Sequence, residues 1–208
     1  MPGSSPPGRA ASERLERIDQ AALRLFAQRG FAATTVDEIV GAAGLTKPML
    51  YRHYESKQEL CISLLERSRD ELIGAALHEF APGELDTRAQ LTSMVEAWLR
   101  QVERNPDAAR LVFTPITGDP EVEQVQRDIE ARQRATHAGL LRAFAPDLGE
   151  LDAEPLGEVI RVSFGAMALW WLGHPQHPSD VPARALLAVT VGILTTLHAP
   201  GLSEEHLA

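Results

Sequence analysis

A single cysteine, Cys61, stands in the whole chain, so no intramolecular disulfide can staple it. Long hydrophobic runs are missing too. The longest uncharged apolar stretches, around 162–172 and 185–197, fall short of the roughly 18–20 residues a bilayer requires. Membrane insertion is therefore not expected. The stretch 1–11 is rich in Pro, Gly and Ser and lacks the apolar core of a signal peptide, which makes a cytoplasmic protein the simplest expectation. Sustained alternation of β-branched residues is also lacking, so the chain reads as all-α. No nucleophile elbow, phosphate loop or zinc-protease motif is present, and neither catalysis nor a cofactor is expected. His174 and His177 flank a proline loop with no thiolate or carboxylate cluster beside them, so no metal site is expected there. At 208 residues the chain can still bury a core unaided.

Positive charge is scarce overall, with a formal net charge of -9. The sum hides its distribution. Residues 1–60 carry eight Lys/Arg against seven acids, or 8 − 7 = +1, whereas residues 61–208 carry 12 − 22 = −10. Docked on DNA by its first part, such a chain would have its acidic remainder repelled by phosphate, which favours one orientation.

Helical spacing dominates what remains. In a first helix, expected over 12–29, Leu15, Ile18, Ala22, Leu25 and Phe26 form one stripe, and Gly30 supplies a left-handed terminator. Thr35 and Glu38 have the spacing of a capping box, followed by Val36, Ile39, Val40 and Ala43 on one face. Ala43-Gly44-Leu45 makes a short turn into a third helix expected over 46–53, with Thr46 as its cap, Pro48 in its first turn and Leu45 and Leu50 as a hydrophobic staple. Ser56-Lys57-Gln58-Glu59 opens a fourth helix whose pattern runs toward Phe80 and links two parts. Breaks at Ala81-Pro82-Gly83, Asn105-Pro106, Thr117-Gly118-Asp119-Pro120, Ala145-Pro146 and Gly173-His174-Pro175 divide the rest, giving about nine helices.

Two short helices joined by a glycine turn form a helix-turn-helix, whose second helix enters the major groove. The outer face of 46–53 offers Lys47, Tyr51, Arg52 and His53, all hydrogen-bond donors suited to phosphates or base edges. Lys57 stands in the first turn of the next helix, where the dipole disfavours a cation but the lysine and free amides together attract an anion. Spacing alone leaves open a three-helix bundle with an incidentally basic surface. Tyr51 could pack its ring against the first helix, and Lys47 could be a solvated surface lysine.

The run from Gly30 through Ala33-Thr34-Thr35-Val36-Asp37-Glu38-Ile39, then Ala42-Ala43-Gly44-Leu45-Thr46-Lys47-Pro48-Met49-Leu50-Tyr51-Arg52-His53-Tyr54 and on to Leu60, resembles the DNA-binding domain of the tetracycline-repressor (TetR) family. The resemblance covers about residues 12–62. It implies a two-domain homodimer that represses by occupying a palindromic operator in double-stranded DNA and is released by a small-molecule effector, here unidentified. Carried over by position, it makes Thr35, Tyr51, His53 and Lys57 phosphate contacts, with Thr34 a weaker one, and sets Thr46, Lys47 and Pro48 at the base edges. Val40 and Gly41 depart from the family's alanine and polar residue and loosen the second helix. Activators and corepressor-dependent regulators share the same reading head, as would a ligand-binding helical protein with a vestigial one.

The expected division is a disordered tail over 1–11, a DNA-binding domain over 12–60, and a ligand-binding and dimerisation domain over 61–208. The helix expected over 155–173 and the last helix are apolar nearly all round, so a second copy of the chain is the economical cover, through the last two helices. Met94, Trp98, Phe113, His137, Phe164, Met167 and Trp171 are candidates to line an apolar effector site with a few polar points.

Overall fold

A computed structural model describes residues 7–80 and 86–197. Among them are nine α-helices and no strand: α1 Pro7–Arg29, α2 Val36–Ala43, α3 Lys47–Leu50, α4 Lys57–His78, α5 Thr87–Arg104, α6 Pro106–Phe113, α7 Pro120–Phe144, α8 Glu150–Gly173 and α9 Asp180–Thr196. The break expected at Ala81-Pro82-Gly83 lies outside the described residues, as do residues 1–6 of the expected tail.

Three boundaries differ from the sequence expectation. Helix α1 begins at Pro7 rather than at 12, because proline tolerates a first turn and Ala10-Ala11 are strong helix formers. Helix α3 is only Lys47–Leu50, although Tyr51 N–H still donates to the Lys47 carbonyl at 2.9 Å and Tyr54 N–H to that of Leu50 at 3.1 Å. The chain therefore keeps a helical path beyond the regular segment. Helix α8 starts at Glu150, with Pro155 inside it. Proline removes the bond to the carbonyl of Leu151, a residue 88% exposed, where water can replace it.

The caps fix the local geometry. Thr35 Oγ1 accepts from Glu38 N–H at 3.3 Å while Thr35 N–H donates to Glu38 Oε2 at 2.9 Å, completing the box at α2. Gly44 ends α2 at φ +63°, a left-handed position that side chains resist. Ser56 caps α4 by accepting from Glu59 N–H at 3.0 Å, but the Glu59 carboxylate reaches the Glu55 amide rather than that of Ser56. Thr46 occupies the cap position of α3 without capping it through its side chain.

The first core gathers Ile18, Phe26, Phe31, Ile39, Leu50 and Leu60, with the half-buried Leu45 packed against it. It also takes in Leu64 and Leu65 of α4, Leu111 of α6 and Ile129 of α7, so the N-terminal helices are seated on the rest of the chain. Cys61, fully buried here, has its thiol pushed up to about 12 by burial and is an inert core residue. A second core joins α4, α5, α6, α8 and α9 around Leu72, Trp98, Leu99 and Leu186, and a third lies around Leu91, Leu141, Ile160 and Leu194.

Helices α7 and α8 make the tightest pair. A Cβ at Gly157 would lie 2.7 Å from the Arg134 carbonyl oxygen and 2.9 Å from the Ala138 amide nitrogen, so backbones meet where only glycine fits. The far side of α8 is bare: Leu151, Pro155, Val159, Val162, Ala166 and Trp170 are exposed at helical spacing. The last helix buries part of its apolar surface within its own chain, with Leu187, Val189 and Ile193 half-buried. Leu186, Val191 and Leu194 are buried within the chain, and the exposed positions of α9 are Asp180, Arg184, Ala188 and Thr196.

Candidate nucleic-acid interface and effector cavity

Around α3 the side chains of Thr46, Lys47, Pro48, Tyr51, Arg52 and His53 are exposed together, and Tyr51 keeps 49% of its surface open. None of them packs in the core, which α3 reaches through Leu50 alone among its buried residues. Thr35 is exposed at the nearby start of α2. Thr34 is not available: it is 1% exposed and its hydroxyl donates to the Gly30 carbonyl at 2.9 Å. Tyr54 likewise turns inward, donating its hydroxyl to Asp19 at 2.7 Å; burial first, then Asp19, pushes its pKa up to about 12.

The two lysines carry contacts that sequence could not show. Lys47 Nζ pairs with Asp37 Oδ1 at 2.9 Å, across the turn between α2 and α3, and the hydrogen bond to Asp37 raises the lysine's pKa. Lys57 Nζ donates to the carbonyls of both Phe31 and Thr34 at 2.9 Å and sits 4.0 Å from the Phe31 ring centroid. It anchors the segment that leads into α2 and leaves one of its three donors uncommitted. Arg17 of α1 donates to the carbonyls of Ala43 and Gly44 at the end of α2.

A second site lies farther along. Helices α4, α5, α7, α8 and α9, with Phe113 of α6, enclose a cavity of about 80 Å³. Five of the seven sequence candidates line it: Met94, Trp98, Phe113, His137 and Phe164. Trp98 stands edge-on to Phe164 with centroids 5.0 Å apart, and His137 lies 5.9 Å from the same ring. Met167 and Trp171 do not line it. Helical rotation turns them into the second core, where the Trp171 indole N–H donates to the His177 carbonyl at 2.9 Å.

The polar lining was largely missed. Gln133, Thr136, Arg161 and Thr190 face this cavity, and the signal in the sequence was polar residues falling on the buried stripe of α7. Arg161 gives its Nε and Nη2 to Glu158 at 2.8 and 2.6 Å, which holds the carboxyl of Glu158 below its ordinary range. His137 Nδ1 donates to the Gln133 carbonyl at 2.8 Å. Burial above all, with Arg161 adding to it, lowers the His137 pKa to about 4, so the ring is neutral near pH 7. His174 and His177 pack against Trp170, with His174 Nδ1 on the Trp170 carbonyl at 2.7 Å. Among the described residues no three potential metal ligands cluster.

A helix-turn-helix with an outward-facing second helix, seated on a helical body that encloses an apolar cavity, defines a DNA-binding transcriptional regulator. Comparison with known proteins makes the class specific. Residues 18–64 match the model of bacterial regulatory proteins of the tetR family. The chain is 40% identical over 202 residues to the HTH-type transcriptional repressor KstR2 of Mycolicibacterium smegmatis, spanning 91% of this chain and 94% of that one. It is also 36% identical to the transcriptional activator FasR of the same species, over 101 residues, which is 49% of this chain and 46% of FasR. A TetR-like transcriptional regulator from Rhodococcus sp. RHA1 superposes with a TM-score of 0.69 at 26% identity, covering 86% of this chain and 95% of that one. The chain belongs to the TetR family of transcriptional regulators. Among its described residues no helix is long and apolar enough to cross a membrane.

Proposed function

We propose that the chain is a homodimeric repressor whose paired reading heads occupy a palindromic operator and let go when a small molecule enters the cavity. The observation that carries this reading is the course of α4. Its first residue, Lys57, holds the segment leading into α2, and near its other end Ile73, Ala76 and Leu77 line the cavity. At 22 residues it spans about 33 Å, one rigid element with an end in each site. A ligand that prefers one tilt of α4 shifts the spacing of the reading heads, and it acts only through its difference in affinity for the two states.

In this reading residues 12–60 read DNA, with Thr35, Tyr51, His53 and Lys57 on phosphates and Thr46, Lys47 and Pro48 at base edges. Residues 61–208 bind the effector and dimerise. The bare stripe of α8 is the natural seat for a second copy, since two heads must meet half-sites about 34–36 Å apart or a multiple of that. The repressor role follows the full-length likeness to KstR2, and the protein works in the cytoplasm, without a catalytic step. Likeness to FasR favours activation as the second reading, which a reporter fused to the bound promoter separates by the sign of its response. The test is selection of bound fragments from the source genome, followed by release with compounds drawn from the neighbouring genes' chemistry. Symmetric sites are expected; no preference over bulk competitor DNA would sink the proposal.

A further inference from the structure

The cavity contains a polar group that the folded chain leaves alone. Gln133 is 3% exposed as a residue and lines the cavity, and no side-chain hydrogen bond of its carboxamide is found among the described residues, so the amide is turned to the cavity space. The other buried glutamines are satisfied: Gln90 donates to the Glu79 carbonyl at 2.8 Å, and Gln126 accepts from Ile116 N–H at 2.8 Å and donates to the Thr114 carbonyl at 2.9 Å. An amide turned into a cavity without a protein partner keeps its donors and acceptor for whatever enters.

One turn along α7 from Gln133 stands His137, on the same face. Because its Nδ1 donates to the Gln133 carbonyl, its Nε2 is left as an acceptor. The two side chains thus offer amide donors and an imidazole lone pair side by side. The charge of the wall points the same way. Arg161 is the one charged residue lining the cavity among the described residues, and Glu158 already takes two of its nitrogens. Glu158 neutralises Arg161, so a carboxylate or an ammonium would be buried against a wall with no net charge to compensate it. Neither fits a closed ion pair.

We propose that the effector is an uncharged, largely apolar alcohol whose hydroxyl donates to His137 Nε2 and accepts from the Gln133 carboxamide. The inference rests on reading this cavity as the effector site. At about 80 Å³ the cavity is smaller than such a molecule, and the flexible Met94 is the lining residue best able to give way. Widening on entry is what couples binding to the helices around it.

The test is calorimetric titration of the full chain with 1-octanol, octanoate, octylamine and octyl methyl ether. Octanol is expected to bind, with the two charged analogues at least about tenfold weaker and the ether, which cannot donate, about fivefold weaker. Gln133→Leu and His137→Leu should each weaken octanol about five- to tenfold, and His137→Leu should leave the ether unchanged. Circular dichroism checks the variants; should His137→Leu not fold, Gln133→Leu and the wild-type series decide. Octanoate binding as well as octanol, octanol affinity unchanged in Gln133→Leu, or no octanol binding at all would overturn the proposal. Release of operator DNA is read separately. If octanol binds with this pattern but leaves the DNA complex intact, the ligand class holds and the effector reading falls; if octanoate alone releases DNA, the reverse is true.

Discussion

Arg67 of α4 reaches Asp19 of α1 at 2.7 Å, and the other oxygen of that carboxylate receives the Tyr54 hydroxyl at 2.7 Å. Asp19 is 9% exposed, so this one group ties the first helix, the shared long helix and the segment after α3 together from within. Asp19→Ala is expected to destabilise the fold by about 2–3 kcal/mol, because it strands a buried hydroxyl and a partly buried guanidinium. Tyr54→Phe should cost about 1 kcal/mol. Urea unfolding at fixed protein concentration measures both, and equal losses would mean that Arg67 contributes nothing.

Lys57→Ala should act twice. It removes two bonds to the carbonyls of Phe31 and Thr34, lowering stability by about 1 kcal/mol, and lowers the slope of log affinity against log salt by about one if the charge also meets phosphate. Lys57→Arg should keep the slope. An unchanged slope in the alanine variant would confine Lys57 to holding the fold.

Asp37→Asn frees Lys47 and removes an anion from the surface proposed to face DNA. Affinity for any duplex should rise several-fold at low salt, the gain fading as salt screens it. Lys47→Ala should instead alter which operator variants are preferred, each lost base contact worth about 1–3 kcal/mol. Fluorescence anisotropy on a panel of operators reads both; a uniform loss for Lys47→Ala would move it to the backbone.

Val162 and Leu194 separate dimerisation from folding. Val162 is 49% exposed on the bare stripe of α8, so Val162→Glu should give folded monomers in sedimentation and lose operator affinity. Leu194 is fully buried within its own chain, so Leu194→Glu should unfold the C-terminal helices instead. A folded dimeric Val162→Glu protein would exclude that face.

His137 ties stability to acidity. Its folded pKa of about 4 lies below the ordinary 6.5, so the unfolded chain takes up a proton that the folded chain refuses. The contribution is complete above about pH 6.5 and is lost as pH falls toward 4, by about 3 kcal/mol at the lower end. Subtracting the stability profile of His137→Leu from that of the wild type should isolate this slope, and identical profiles would refute it.

The reading head was legible because its signals are local. The Thr35–Glu38 box, the glycine turn at Gly44, Pro48 in a first turn and the outward face of α3 all follow from spacing within a few residues. Contacts between elements were not. Nothing in the spacing pairs Lys47 with Asp37 or sends Lys57 to the Phe31 carbonyl, since these depend on how α2, α3 and α4 pack. The cavity was half legible for the same reason: aromatic residues announce an apolar wall, but a small rotation of α8 decides that Phe164 lines it while Met167 and Trp171 do not. Gln133 went unseen because a polar residue on a helix is ordinarily read as solvent-facing.

The contact at Gly157 bears on how a guest is accommodated. With two backbones already touching there, α7 and α8 cannot close further on one another at that point. Room for an entering molecule then comes from the other walls, where Met94 of α5 can give way and α4 passes. In the proposed reading, strain generated by the guest would pass to α4, whose first residue, Lys57, holds the segment leading into α2.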